Sequence, residues 1–424
     1  MTTPPLYRSR PSGFDIKPAQ QSEARRINDF IYLSEGLSNS YLIVTAEGRI
    51  VINTGMGFEA PIHRQIYDAI DDSPIRYVLL TQGHVDHVGG AGVFVDEGTE
   101  LIAQSGNAAH QEYDRIIARF RGQRSFFAFA EAITVANRYV QKRAGASVSP
   151  QATPIPSITF DDSYGFELGG LEVELISTPG GETLDSMVIW LPQHRICFTG
   201  NLFSALFGHF PNLVTIRGDK YRDALGFLRS LEIVRSLEPE MLLVGHHQPV
   251  VGSELIQSEL QRLRGAVQHV HDEVVKGMNE GATVEDLMRD IALPPECEVG
   301  EGYGKVSWSV RAIWENYAGW FHHRSTTELY ATPATSIHGD LVELAGGPNA
   351  IAERAQKRTD SGAPLEAIHL AEVALAADPS HRGALEASRA AHRQLLEASV
   401  NFWESAWLKK ELRELEAVLK KEGN

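Results

Sequence analysis

Thr81-Gln82-Gly83-His84-Val85-Asp86-His87-Val88-Gly89-Gly90 directly follows the apolar run Tyr77-Val78-Leu79-Leu80. Such a run reads as a buried strand, and Gly83, Gly89 and Gly90 mark irregular backbone after it. Two imidazoles and a carboxylate, His84, Asp86 and His87, therefore fall on a loop at a strand end, where donors can converge without a helix. That donor set suits Zn²⁺ or another borderline divalent cation. Three more polar residues stand in similar places: Glu182 in TPGGETLDS, Asn201 in CFTGN and His246 in VGHHQP. Each follows a predicted strand, so one end of the sheets gathers them all. Alone, HVDH also fits an ordinary polar loop; Glu182 and His246 in register favour a metal centre.

Outward from this loop the chain divides into two β-rich sets. IYLSEG, SYLIVTAEG, RIVINTG and YVLLTQG come first, and SITF, LEVELIS, MVIWL, RICFTG and MLLVGHH follow. A helical stretch from Gln111 to Ala144 separates them. Two β-rich halves with helices between and outside them predict an α/β fold with αββα layering. From Ser253 the pattern turns helical, and past Gly300 strand signals cease. Ala363 to Leu395 predicts a helical hairpin, with Leu370, Val373, Ala374 and Ala377 on one face and a break at Asp378-Pro379. It resembles one tetratricopeptide-type pair, which must pack on something else to cover its apolar face. The expected organisation is an irregular arm over residues 1–25, an α/β sandwich over 26–300 and an all-α domain over 301–424.

The totals exclude several functions. With 43% hydrophobic and 22% charged residues, a large core is expected and wholesale disorder is not. A net charge of −16 argues against nonspecific nucleic-acid binding, though not against an anionic substrate. Only Cys197 and Cys297 are present, which rules out a disulfide framework or a cysteine-rich zinc site. The N-terminus has no apolar core of a secretory signal, and no run approaches the roughly 18 apolar residues of a spanning helix. A soluble cytoplasmic protein with no membrane partner is expected.

Thr81 to Gly90 resembles the T-H-x-H-x-D-H-x-G-G signature of the metallo-β-lactamase superfamily, and TPG, FTG and GH follow in the family's order over residues 28–250. Finer motifs resemble its alkylsulfatase branch. Thr178 to Glu182 matches T-P-G-x-E, and Asn212 to Gly218 matches N-L-x-T-x-R-G. His246, His247 and Pro249 match H-H-W-P with Gln248 in place of Trp. Gly319 to Phe321, Val342 to Gly347 and the helical pair resemble that branch's dimerisation domain. The branch's further sterol-carrier-like domain has no counterpart up to Asn424.

The resemblance implies one metal site from Gln82, His84 and Glu182 and another from Asp86, His87 and His246, with Asn201 at a bridging position. It also implies that Asn212 and Arg217 hold a sulfate, since a guanidinium grips two oxygens at once. Three positions depart from the family. Gln82 replaces an imidazole, Asn201 replaces a bridging carboxylate, and Asn53 replaces a carboxylate that orients ligands. Two dications would then face only Asp86 and Glu182 as protein anions. Weakened compensation predicts one firmly held Zn²⁺, or another divalent ion, at Asp86, His87 and His246, and a second that is weak or missing.

The leading expectation is a metal-dependent hydrolase of an alkyl sulfate or related anionic ester, with Asp86 and His247 as catalytic groups and His247 as proton donor. A lactone or phosphoester hydrolase on the same fold is the alternative, as is a non-hydrolytic anion binder with a degraded metal site. A homodimer through the helical domain follows by resemblance only. Phe120, Phe126, Phe127 and Phe129 suggest an apolar lid over an alkyl chain, although aromatic stripes are usually core. His110 is expected to be structural, His269 to Glu273 a solvated face, and His322 and His323 packing residues. Phe402, Trp403 and Trp407 are expected to form core or subunit contacts.

Overall fold

Met187, Ile189 and Leu191 point into one apolar layer while Val188 and Trp190, between them, point into another. A strand buried on both faces is what a continuous apolar run produces when helices cover a sheet. The computed structural model describes residues 4–144 and 149–421. Its first sheet takes β1 (Arg25–Arg26), β2 (Ile31–Ser34), β3 (Ser40–Thr45), β4 (Gly48–Ile52), β5 (Ile75–Leu79), β6 (Glu100–Gln104) and β7 (Ile158–Phe160) in chain order. Its second takes β8 (Ser163–Leu168), β9 (Leu171–Ser177), β10 (Met187–Leu191), β11 (Ile196–Gly200), β12 (Met241–Val244) and β13 (Val250–Val251), again in chain order.

The first sheet runs antiparallel and turns parallel from β4–β5 onward, and the second is antiparallel except for the parallel step at β11–β12. A parallel step needs a crossover. Helix α1 (Ala60–Asp68) lies in the first crossover, and the second contains the longer of the two connecting helices, Ala224–Ser236. Short α2 (Val85–Val88) and α3 (Ala91–Phe94) follow β5; α4 (Asn107–Ile116) and α5 (Ala118–Ala144) follow β6. The crossover helix Ala224–Ser236 is α6, followed by α7 (Ser253–Glu280), α8 (Val284–Asp290) and α9 (Val306–Ala318).

Three apolar layers result. Ile31, Leu33, Ile43, Ile50 and Ile52 meet Val173, Leu175, Ile189, Phe198 and Leu243 between the sheets. Leu42, Val51 and Val78 on the outer face of the first sheet meet Ile62, Ile66 and Tyr67 of α1. Val188, Cys197, Leu242 and Val244 meet Phe227 and Leu231 of α6 and Leu260, Leu263 and Val267 of α7. The αββα layering expected from the sequence is therefore present. Strands β1, β6, β8 and β13 were not anticipated, and β7, expected with the second set, pairs with β6 in the first sheet. β6 has only Leu101, Ile102 and Ala103 as an apolar centre, and β8 is an edge strand with alternate residues exposed. The helix expected from Gln111 starts at Asn107 and is divided at Ile117.

The chain forms two compact units, residues 1–317 and 318–424. Val310, Ala312 and Ile313 of α9 belong to the core of the first. The second unit contains α10 (His338–Leu344), α11 (Pro348–Asp360), α12 (Pro364–Ala377), α13 (Arg382–Ala398) and α14 (Phe402–Lys421). The hairpin α12–α13 packs with α11 through small residues, Ala355, Ala371 and Ala387. The expected stripe on α12 holds for Leu370, Val373 and Ala374, which pack into the helical core, and fails at Ala377. Ala367, Ala371 and Ala374 are buried, Leu370 and Val373 are half-buried, and Ala377 is exposed, because close helix approach is made through alanine. Trp403 is fully buried, whereas Trp407 stays partly exposed with the Lys410 ammonium 4.5 Å from its ring centre. Among the described residues, no helix is long and apolar enough to cross a membrane.

The N-terminal arm is held by Tyr7 and Arg8 at Glu298, by Arg10 at the Gln248 carbonyl, and by one buried carboxylate. Glu59, just before α1, accepts from the backbone N–H groups of Ala19 (3.0 Å), Leu37 (3.1 Å) and Met56 (3.3 Å). Burial pushes its pKa up to about 7, against the pull of those three donors, with Asp86 adding a smaller rise. A carboxyl pKa raised on folding costs nothing below the unfolded value, and the cost grows as pH rises from the unfolded value to the folded one and is constant above it. Glu59→Gln should therefore melt like the wild type near pH 4.5 and gain on the order of 1–3 kcal/mol by pH 8. Thermal unfolding at the two pH values checks this; an equal offset at both would refute it.

Candidate metal centre

The loop after β5 is shaped from β4. Asn53, with a left-handed φ of 55°, accepts through Oδ1 from the Thr81 amide (3.0 Å) and hydroxyl (3.1 Å). The Thr54 N–H and hydroxyl donate to the His87 carbonyl at 2.8 and 3.0 Å. A Cβ on Gly90 would lie 2.3 Å from the Thr54 carbonyl, so the loop can close on β4 only with glycine there. From the other sheet, the loop after β12 is pinned by Asn39. Its side-chain amide donates to the Val244 and His247 carbonyls (2.9 and 2.8 Å), and its N–H donates to Gly245 O (2.7 Å). Residues after β5, β11 and β12 and before β10 thus meet at one edge of the sandwich.

Asp86, His87 and His246 form a compact trio whose candidate ligand atoms all lie within 4.8 Å of one another. Asp86 Oδ2 is 3.4 Å from His87 Nε2 and 3.9 Å from His246 Nε2. Both imidazoles are buried, and none of their four ring nitrogens makes a hydrogen bond of ordinary geometry. The Leu37 backbone lies close enough to His246 to raise its pKa slightly. Burial nevertheless pushes that pKa down to about 3, with Asp86 opposing, so the ring is neutral at ordinary pH. Burial would raise the Asp86 pKa, but His87, His246, His84 and Arg217 together hold it below the ordinary value. A neutral imidazole and an ionised carboxylate are the ligating forms. Buried polar atoms without partners each cost about 1–3 kcal/mol, which a cation at their convergence would relieve. The trio fits a divalent metal.

Gln82, His84 and Glu182 are also together, but both amide atoms of Gln82, His84 Nδ1 and one oxygen of Glu182 are already engaged. Gln82 Nε2 is 2.8 Å from His84 Nδ1, and Gln82 Oε1 accepts from the Asn201 N–H at 3.0 Å. Glu182 Oε1 lies 3.3 Å from His84 Nδ1, and Glu182 Oε2 accepts from Arg222 Nη1 at 2.5 Å. Burial lowers the His84 pKa well below its ordinary value, and His110, Arg217 and Arg222 add to this. Burial raises that of Glu182, with Arg222 and Arg217 opposing. Asn201 turns its Oδ1 toward the loop after β12, where a Cβ on Gly245 would sit 2.0 Å away. That Oδ1 is buried without a hydrogen-bond partner, so this group offers a metal one open amide oxygen, a weaker set than the imidazoles and carboxylate of the trio.

Asn212 is buried, and its carbonyl accepts from Arg222 Nη1 at 2.8 Å. Arg217 is half-buried, and its positive charge acts on Asp86, Glu182 and His84 alike. His247 is set apart from this group. It has a left-handed φ of 62°, and beyond its own burial the influences on it come from Arg10, Ser12 and Asp15 of the arm. Its pKa is lowered by burial first and Arg10 second. His110 packs edge-on to His84 with ring centres 5.3 Å apart. In the helix α7, His269 faces the Ala292 carbonyl (3.0 Å) and His271 the Tyr317 hydroxyl (2.9 Å).

Two residues near the centre were missed from sequence. Arg222 follows Arg217 within one short loop, but nothing in DKYRD separates it from a surface arginine. Tyr303 sits between Gly302 and Gly304, and the charges that act on it are Arg217, Asp86, Glu182 and Arg222. Burial pushes its pKa up to about 12, so the phenol keeps its proton. The flanking glycines were the available signal.

Residues 33–246 match the model of the metallo-beta-lactamase superfamily, and residues 283–417 match alkyl sulfatase dimerisation. A linear primary-alkylsulfatase of a Pseudomonas species is 28% identical over 401 residues, covering 89% of this chain and 74% of that protein. An alkyl/aryl-sulfatase of Saccharomyces cerevisiae is 25% identical over 406 residues, covering 90% of this chain and 62% of that protein. The solved stereoselective inverting sec-alkylsulfatase from Pseudomonas superposes with a TM-score of 0.80 at 22% identity, covering 93% of this chain and 65% of that one. The chain thus spans somewhat under two thirds of the yeast relative and of the solved enzyme. With half its length on the first of these models, the chain belongs to the metallo-beta-lactamase superfamily and joins such a domain to an alkylsulfatase dimerisation domain.

Proposed function

We propose that this protein is a metal-dependent hydrolase of alkyl sulfates that works with one firmly held divalent cation, zinc being the best match to the donors. The observation that carries this reading is the trio Asp86, His87 and His246, with the Nε2 atoms of two buried imidazoles lacking ordinary hydrogen bonds beside one ionised carboxylate. A zinc ion there would supply a Lewis acid and bring the pKa of water to about 7. Asp86 remains ionised and sets the charge of the centre. Arg217 and Asn212 are assigned to the sulfate head, because a planar guanidinium pairs with two oxygens of such an anion. Tyr303 presents a protonated phenol among the same charges and would orient the head by donating its O–H. His247 retains only a weak assignment as proton donor, since burial and Arg10 favour its neutral form. The helical unit is assigned to homodimer formation by the family of residues 283–417.

Two measurements test this reading. Zinc added to chelator-treated protein should raise its melting temperature, by the equivalent of about 2.7 kcal/mol at a hundredfold excess over Kd. His246→Ala should abolish the shift, while Gln82→Ala should keep most of it. A shift that survives His246→Ala would remove the trio from the metal site.

The zinc-loaded protein should release inorganic sulfate from dodecyl sulfate, lose this on chelation and regain it with zinc. Arg217→Ala should raise KM by about 10- to 100-fold, the worth of a charge-assisted hydrogen bond. Binding of dodecyl sulfate with no sulfate release would reject hydrolysis and leave an anion-binding protein.

A further inference from the structure

Resting on the one-cation reading above, we infer that the guanidinium of Arg222 supplies the second positive charge of this centre, so that Glu182 is its counter-ion and not a metal ligand. Arg222 and Glu182 are both buried, with side-chain exposures of 8% and 7%, and their ion pair closes at 2.5 Å. An isolated buried carboxylate is costly unless a cation or hydrogen-bond donors meet it. Glu182 is met on one oxygen by Arg222, while its other oxygen lies 3.3 Å from His84 Nδ1, which already accepts from Gln82, so Arg222 is the cation that answers its charge. Arg222 therefore does for Glu182 what a cation would do, without an exchangeable ion.

The neighbouring donors agree. Gln82 spends its amide nitrogen on His84 and its oxygen on the Asn201 N–H. A neutral amide at Gln82 and another at Asn201 leave Glu182 as the one protein anion of this group, and Arg222 balances it. A dication added here would face a guanidinium at hydrogen-bond distance from its only carboxylate, and like charges at such range repel strongly in a buried site. The same guanidinium has a second task. Its Nη1 donates to Asn212 O (2.8 Å), while the backbone N–H of Arg222 donates to Leu213 O (2.9 Å). Arg222 thereby closes the loop that carries Asn212 and Arg217, and it is a positioning residue for the sulfate-facing side of the site.

Zinc content of the full-length protein, measured by mass spectrometry after equilibrium dialysis against zinc, tests the assignment. The wild type should hold one equivalent. None would overturn the one-cation reading itself, and two would overturn the assignment of Arg222 alone. Glu182→Gln should keep one equivalent with zinc affinity within about threefold, whereas a ligand loss costs about tenfold or more. Glu182→Gln and Arg222→Met should each lower the melting temperature of zinc-free protein, and the double variant should recover most of that loss, because it removes both buried charges. Additive losses would refute the pair.

A gain-of-site series covers the case in which a single variant fails to fold. Gln82→His with Asn201→Asp should stay at one zinc while Arg222 is present and reach two once Arg222→Gln is added. Two equivalents with Arg222 retained, or one after its removal, would overturn the inference.

Discussion

Four imidazole nitrogens buried beside one ionised carboxylate are the constraint around which the edge of the sandwich is arranged. Inside a folded protein such atoms are nearly always matched, because an unmatched one costs as much as a lost hydrogen bond. His87 and His246 come from different sheets, so no local rearrangement of one loop can satisfy both. The sandwich must therefore bring the ends of β5 and β12 together and hold them there.

The holding is done by uncharged groups. Asn39 clamps the β12 loop through three hydrogen bonds, Tyr41 adds a fourth to Val244 O (2.6 Å), and Asn53 fixes the start of the β5 loop at Thr81. The Met187 N–H donates to Thr81 O (2.8 Å), joining the two sheets at the same edge. Neutral clamps suit this position. A carboxylate at Asn53 would bring another buried negative charge toward a centre whose electrostatics already balance on Asp86, and the amide accepts from Thr81 without that charge. Support from residues behind the donors holds ligands in place as effectively as the donors' own packing.

Much of this was legible in the chain. The strand cores and the αββα order follow from apolar runs that end in polar segments, a pattern local enough to survive folding. The grouping of Asp86, His87 and His246 came instead from the family resemblance, and Asp86 and His87 stand on the short helix α2 where a loop was expected. What was not legible depends on distance in the fold. Arg222 becomes a partner of Glu182 only because the loop after Asn212 curls back, and a side chain forty residues away in sequence leaves no periodic trace. Tyr303 reaches the same region from just before α9. His247, adjacent to His246 in sequence, turns toward the arm because its left-handed backbone reverses the side-chain direction. β8 escaped notice because an edge strand need not be apolar on both faces. On α12 the stripe of Leu370, Val373 and Ala374 was legible, but the deeper alanines Ala367 and Ala371 were not, because a small residue at a close helix contact looks like any other alanine.

Arg217, Arg222 and a divalent ion would together outweigh Asp86 and Glu182, leaving the centre positive on a chain whose net charge is −16. That contrast is useful for a small anion. Long-range repulsion from an acidic surface is screened over about 10 Å at ordinary ionic strength, whereas a buried positive site is screened much less. Selectivity then falls to the short range, where the planar guanidinium of Arg217 rewards an oxyanion with two oxygens in one plane. Fixing one of the positive charges in a side chain has a further consequence. A guanidinium stays charged at any pH the fold tolerates and cannot be lost to a chelator, so the anion-facing side of the site would keep its shape while the exchangeable ion comes and goes. The chemistry would then depend on one metal, and the recognition of the head group on none.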